Sequence, residues 1–309
     1  MSWIIVTGIA YFLTAVNSVI DKYLLNKSIP EPVTYAFYVG VFSIFTLALT
    51  PFGFHWPGIW QFIAAILTGT IFLLALISLY TALKADEASR VFAFVGGLSP
   101  VLIIIFSAIL FDKVLLRHEY YAFLFLVAGS ILISFRKSKE CGIFELRKHQ
   151  CVQSMEMALF ASVFFALYFV FAKYIFENQE FLSGFVWTRI GIFAAAVLLL
   201  VVPENRRIIF ATSKKMTSGT GGLFVFNKTM AGTATLAINY AIKVAPSSSA
   251  AIVNALEGVK YIFILIITYF ISKKMPHIIE EQTSVPALTQ KIFAIVFIFI
   301  GIFILIAYR

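Results

Sequence analysis

Apolar runs of about 20 residues recur along this chain from end to end, separated by short polar loops, and each is long enough as a helix to cross the hydrocarbon core of a bilayer. Ten such runs are read, near residues 3–24, 33–52, 59–82, 88–110, 117–135, 154–176, 181–202, 220–243, 247–271 and 290–308. Membrane-spanning barrel strands would alternate apolar and polar residues over about ten positions. Stretches such as "VLIIIFSAIL" (101–110) do not alternate, so the runs predict helices. With 61% hydrophobic and only 13% charged residues, a chain of 309 residues has too little polar surface to cover a water-soluble globule. The expectation is an all-α, multi-pass protein of the cytoplasmic membrane. The opening "MSWIIVTGIAYFLTAVNSVIDKYLL" lacks a basic leader and a small-residue cleavage site, and is expected to stay as the first helix.

The longest loop, residues 136–153, falls near the midpoint and leaves five runs on each side. This predicts a first five-helix repeat over 1–135, a polar connection over 136–153 and a second five-helix repeat over 154–309. The halves match where the third helix turns into the fourth: "ALKADEAS" (82–89) lies beside "AIKVAPSS" (241–248), with Ala, Lys and Ser at equal spacing. An odd number of crossings per half forces the second copy into the membrane upside down, the inverted-repeat plan of many secondary transporters.

These features resemble the drug/metabolite transporter superfamily, and within it the ten-helix EamA-type transporters. The stretch "YTALKADEASRVFAFVGGLSPVLIIIFSAILFDKVL" (80–115) carries the family's Ala-Leu, small-Ser and Leu-x-Pro-Val positions as Ala82, Leu83, Ala88, Ser89, Leu98, Pro100 and Val101. Its partner, "NYAIKVAPSSSAAIVNALEGVKYIFILIITYFISKKM" (239–275), departs from the pattern by placing Gly258, not proline, before Val259. "EGVKY" (257–261) also resembles the Gly-x-Val-Lys-like stretch of triose-phosphate and nucleotide-sugar translocators in the same superfamily. The resemblance implies alternating access by a metabolite transporter or exporter that needs no cofactor.

Basic residues test which side is which, because short cytoplasmic loops are enriched in Lys and Arg. Loops after odd-numbered helices hold 16 of them and the opposite face holds 5, Lys173 among these. The bias places both termini outside and the central loop in the cytoplasm, whereas the resemblance implies cytoplasmic termini. Orientation stays open. Trp3, Trp56, Trp60, Tyr120 and Tyr121 fall near the face bearing the termini and are expected to form an interfacial aromatic belt. A net charge of +9 could suggest nucleic acid, but the basic residues sit mostly beside the apolar runs. Insertion topology and anionic headgroups explain them, and no nucleic-acid partner is expected.

Three cations are left inside the runs: Arg189, Lys228 and Lys260, with Glu257 read as the one acid at that depth. Lipid exposure of four such charges would cost on the order of 10 to 14 kcal/mol, so they must face protein or water. Lys228, Gly232, Thr235 and Asn239 share one helical face. Ser247, Asn254, Glu257, Gly258 and Tyr261 share another, with Lys260 at its edge, and the first helix adds Thr7, Tyr11, Thr14 and Ser18. These stripes predict a shared aqueous cavity in which Tyr11, Arg189, Lys228, Asn239, Asn254, Glu257, Lys260 and Tyr261 bind substrate. The cations leave positive charge for a carboxylate or phosphate to neutralise. Glu257 is the candidate for proton coupling. The alternative is that Glu257 and Lys260 neutralise each other while Arg189 and Lys228 bond to carbonyls and hydroxyls between helices.

Histidines 55, 118, 149 and 277 all lie in loops without metal-ligand spacing, Cys141 and Cys151 read as free thiols, and no phosphate loop or nucleophile elbow appears. No enzyme, metal or cofactor is expected. The reading is a secondary transporter of a small polar metabolite carrying a carboxylate, with protons or a counter-substrate as the driving partner. A phosphorylated-metabolite or nucleotide-sugar exchanger, a lipid flippase and a non-transporting membrane interaction protein are the alternatives.

Overall fold

A computed structural model describes residues 2–27, 31–85, 88–112, 117–134, 145–213 and 218–245, together with positions 253, 256–260, 263, 266–267, 289–290, 293, 296–297, 299–301 and 303–304. The described residues form helices joined by short turns, with no strand among them. In chain order these are α1 (Ser2–Lys27), α2 (Pro32–Phe42) running on as a 3-10 helix (Ser43–Phe52), α3 (Ile59–Ala85), α4 (Ala88–Phe111) and α5 (Arg117–Ser134). Then follow α6 (Glu145–Asn178), α7 (Phe181–Leu198) with a short 3-10 extension (Leu199–Val201), α8 (Pro203–Ser213) and α9 (Ser218–Val244). His118 in α5 and His149 and Cys151 in α6 are thus helical and not in loops, because α6 begins inside the connection expected over 136–153.

Local chemistry sets several boundaries. Glu31 is extended and Pro32 opens α2, where a missing N–H costs nothing and the ring presets φ. Pro51 closes the 3-10 segment, and the chain then reverses through Gly53 at φ +138° and Gly58 at φ +88°, conformations that favour glycine, before α3 begins. α8 falls where the sequence reading had only a polar connection between the seventh and eighth runs. Pro203 at its start and Glu204 in its first turn are ordinary helix-opening signals, and Ile209 and Thr212 bury its inner face.

Six helices are long and apolar enough to cross a membrane: Trp3–Asp21, Pro32–Phe52, Ile59–Ala85, Phe94–Phe111, Gln153–Asn178 and Phe181–Val201. This is the character of an all-α membrane protein. Large apolar side chains such as Ile5, Ile9, Leu67 and Ile105 point outward, where lipid and not water would satisfy them. Trp56, Trp60, Tyr120 and Tyr121 are exposed as a belt requires, but Trp3 is only 5% exposed and packs within the core around Tyr11 and Phe169. A side chain enclosed by neighbouring helices cannot anchor at an interface, and Trp3 leaves the belt.

α3 is the central post, packed against α6 and α7, while α1 lies along α9 and α4 lies against α5 and α6. The α3–α7 crossing is close because glycine faces backbone on both sides. A Cβ on Gly69 would lie 2.4 Å from the Thr188 carbonyl oxygen, and one on Gly191 would lie 2.8 Å from Ile66 Cα. Small residues let membrane helices approach until their backbones touch. Gly69→Ala and Gly191→Ala are each expected to destabilise the detergent-solubilised protein by about 1 to 3 kcal/mol, because a methyl group there meets backbone that cannot step aside. Gly8→Ala, where nothing lies within 4 Å, is expected to leave the unfolding midpoint unchanged or raise it.

Candidate functional site

The polar stripe of α1 is largely satisfied by its own helix. Thr7 Oγ1 donates to the Trp3 carbonyl at 2.6 Å, Thr14 Oγ1 to Ala10 at 2.8 Å and Ser18 Oγ to Thr14 at 2.8 Å. One step further along the same face, at i+3 from Ser18, stands Asp21. Together with faces of α2, α3, α6, α7 and α9 this stripe encloses a cavity of about 640 Å3. The cavity's lining runs out to Pro32 at the start of α2 and the exposed Lys84 at the end of α3.

Tyr11, Arg189, Lys228, Asn239, Glu257 and Lys260 all line this one cavity. The structure therefore brings together six of the eight residues expected from the stripes; Asn254 and Tyr261 lie outside the described residues. Tyr11 donates its hydroxyl to the Val253 carbonyl at 3.0 Å, which ties α1 to the segment carrying Glu257. Lys260 and Glu257 pair side chain to side chain three residues apart.

Arg189 projects from the middle of α7 and is only 7% exposed. Its guanidinium carbon lies 4.7 Å from the Phe185 ring centroid and 5.5 Å from that of Phe72. It sits beside Tyr168, whose hydroxyl donates to Asn239 Oδ1 at 3.0 Å, and Asn239 Nδ2 in turn donates to the Thr235 carbonyl at 2.8 Å. Arg189 Nε and Nη2 are buried without a hydrogen-bond partner. Aromatic faces return about 2 kcal/mol to a desolvated cation, less than the several kcal/mol that removing it from water costs. Nε and Nη2 share one edge of the planar group, the fork that takes a carboxylate or phosphate with two parallel bonds. The arrangement holds a bound charge short of a partner.

Lys228 is different, and here the structure corrects the charge count. Its Nζ lies 2.8 Å and 3.1 Å from the two carboxylate oxygens of Asp21, and the Lys228 and Asp21 side chains are 5% and 12% exposed. Glu257 is thus not the one acid at depth, and Lys228 carries no surplus charge. Asp21 also accepts from Tyr35 and Asn227 through Oδ1 and from Asn17 at 3.3 Å through Oδ2. Lys228 Nζ stands 4.6 Å from the Tyr35 ring centroid and 5.5 Å from that of Phe224. Among the described residues the charge left unmatched in the cavity is that of Arg189.

Lys173 also moves. Counted above with the loop cations, it is buried on α6 and donates to the carbonyls of Ile242 at 2.7 Å and Ala245 at 2.5 Å, where α9 ends, with Glu177 at 3.8 Å. Lys243 of α9 reciprocates by donating to the Phe176 carbonyl near the end of α6. Each lysine caps the other helix, whose last carbonyls have no internal partner.

Asp21 was within reach of the sequence, because it continues the spacing of Thr7, Tyr11, Thr14 and Ser18; its place near the end of the first run, beside Lys22, disguised it as a loop residue. Tyr35, Tyr168 and Phe185 carry no such signal, being aromatic residues in apolar helices. No three His, Cys, Asp or Glu side chains come together among the described residues, so no metal cage can be named.

No family model matches the chain, and no curated protein does. Among solved structures, the crystal structure of a protein aligns over 98% of this chain and 94% of its own length, with a TM-score of 0.66 and 13% sequence identity. At that identity the likeness is one of fold. Asp21→Ala and Lys228→Ala are each expected to destabilise the protein by about 3 to 5 kcal/mol, since each strands a buried opposite charge. Their combination is expected to cost clearly less than the two together, a non-additivity that unfolding titrations in detergent would measure.

Proposed function

We propose that this chain is a secondary active transporter of the EamA type, moving a small polar metabolite that carries a carboxylate across the cytoplasmic membrane. On this reading ten transmembrane helices form two inverted five-helix repeats, over 1–135 and 154–309, joined by the polar connection 136–153. Alternating access between the two halves exposes the central cavity to each side in turn.

The observation that carries the reading is Arg189: a guanidinium held in the bundle interior, lining a cavity of about 640 Å3, with two buried nitrogens unpartnered. A residue that only specified helix packing would have those donors met by carbonyls or hydroxyls, as Lys173 has. A carboxylate bound to the Nε–Nη2 edge supplies both the counter-charge and the missing acceptors. Tyr168 stands beside the guanidinium and is itself held by Asn239, and the Glu257–Lys260 pair offers both charge signs to the remainder of the substrate. Lys228 enters through its partner Asp21 and not as a free anion site.

Purified protein in lipid vesicles, given a panel of labelled amino acids, organic acids and phosphorylated sugars, is expected to show saturable uptake or counterflow of at least one carboxylate. Arg189→Ala is expected to reduce that flux at least tenfold, and Arg189→Lys nearly as much, because an ammonium cannot replace a two-pronged edge. Flux of phosphorylated sugars alone would favour the exchanger, and no flux with any compound would favour a membrane interaction protein.

A further inference from the structure

Resting on the transporter reading, we propose that Asp21 is the proton-coupling group: its carboxylate and the anionic group of the substrate compete for Lys228, and a proton on Asp21 releases Lys228 to the anion. Four features carry this. The pair lines the same cavity as Arg189, so Lys228 is already placed where an anion would arrive. It joins α1 to α9 across 207 positions of sequence, so a motion that parts those two helices must stretch or remake it. The Glu257–Lys260 pair, by contrast, spans three residues of a single segment and can travel as one body.

The remaining two features concern what a proton would meet. Among the described residues, the groups facing Asp21 are Lys228 and Asn227 from α9, Tyr35 from α2, Asn17 from α1 itself, and Tyr80 of α3, whose ring lies 4.8 Å from that of Tyr35. Lys228 is the one cation in this set, so neutralising Asp21 leaves its ammonium uncompensated and available. The two amides that donate to Asp21 also carry the buried oxygens Asn17 Oδ1 and Asn227 Oδ1, neither of which has a hydrogen-bond partner. A carboxylate wants the donor end of an amide and a carboxylic acid wants the acceptor end, and a half-turn about the terminal torsion exchanges them. Both asparagines are therefore equipped to serve either state of Asp21.

The charges balance. The proton forms an O–H bond on Asp21, the Asp21–Lys228 ion pair opens, and the incoming anion pairs with Lys228. One proton and one negative charge enter the cavity together, and loss of that proton on the other side restores the ion pair and expels the anion. The coupling is an electroneutral symport of a monoanion with a proton.

The test uses benzoate, a carboxylate with an apolar body suited to an apolar cavity, and purified full-length protein in weakly buffered detergent. Calorimetry reads binding while a pH indicator reads proton uptake. Wild type is expected to take up about one proton per benzoate bound, with affinity falling about tenfold for each pH unit over which that proton is taken up. Asp21→Asn is expected to bind benzoate with no proton uptake and with affinity independent of pH. Wild type that binds benzoate without taking up a proton overturns the inference by itself, which keeps the test decisive if Asp21→Asn fails to fold. Proton uptake that persists in Asp21→Asn overturns this inference while leaving carboxylate transport intact. Wild type that binds no benzoate, and moves no carboxylate in vesicles, removes the transporter reading and this inference with it.

Discussion

A charge placed among packed helices has nowhere to hide, and that constraint organises the interior of this protein. Water solvates an ammonium or a carboxylate cheaply; a bundle of Leu, Ile and Phe does not. Every buried charge must then be met by a counter-charge, a set of hydrogen-bond partners, or space into which something charged can come. The structure uses all three answers. Lys228 and Asp21 answer each other across α1 and α9, Lys173 takes the carbonyls at the end of α9, and Arg189 faces a cavity with two donors unmet.

The difference among these answers separates architecture from function. Lys173 resembles the bland reading of an intramembrane lysine, a cap for an exposed helix end. Arg189 has no such set of carbonyls on Nε and Nη2, and its Phe72 and Phe185 neighbours soften the penalty without removing it. Lys228 stands between. Its partner satisfies it fully in the state described, yet the pair borders the cavity, and the buried amide oxygens of Asn17 and Asn227 beside it suggest a site built for more than one protonation state.

Much of the fold was legible because the membrane imposes a simple rule: an apolar run long enough to cross becomes a helix. That rule anticipated α1 to α7 and α9, and it missed α8, where "PENRRIIFATS" is too polar and short to register as a crossing although Pro203 and Glu204 announce a helix. The site was legible wherever polar residues repeat on one face, which is how Tyr11, Asn239 and Lys228 were found. It was not legible where chemistry depends on which helices touch. Nothing in the sequence says that Asp21 meets Lys228, or that Tyr168 on α6 backs Arg189 on α7. Counting Lys173 with the loop cations and passing over Asp21 near the end of the first run misjudged the balance of charge.

The paired lysine caps of α6 and α9 make the two ends of the bundle unequal. At one end the cavity's lining runs out to Lys84 and Pro32; at the other, Lys173 and Lys243 lash two helix tips together through the carbonyls of Ile242, Ala245 and Phe176. Unfastening that knot would bare those oxygens until solvent reached them, so the two ends differ in how much water each must admit before its helices part.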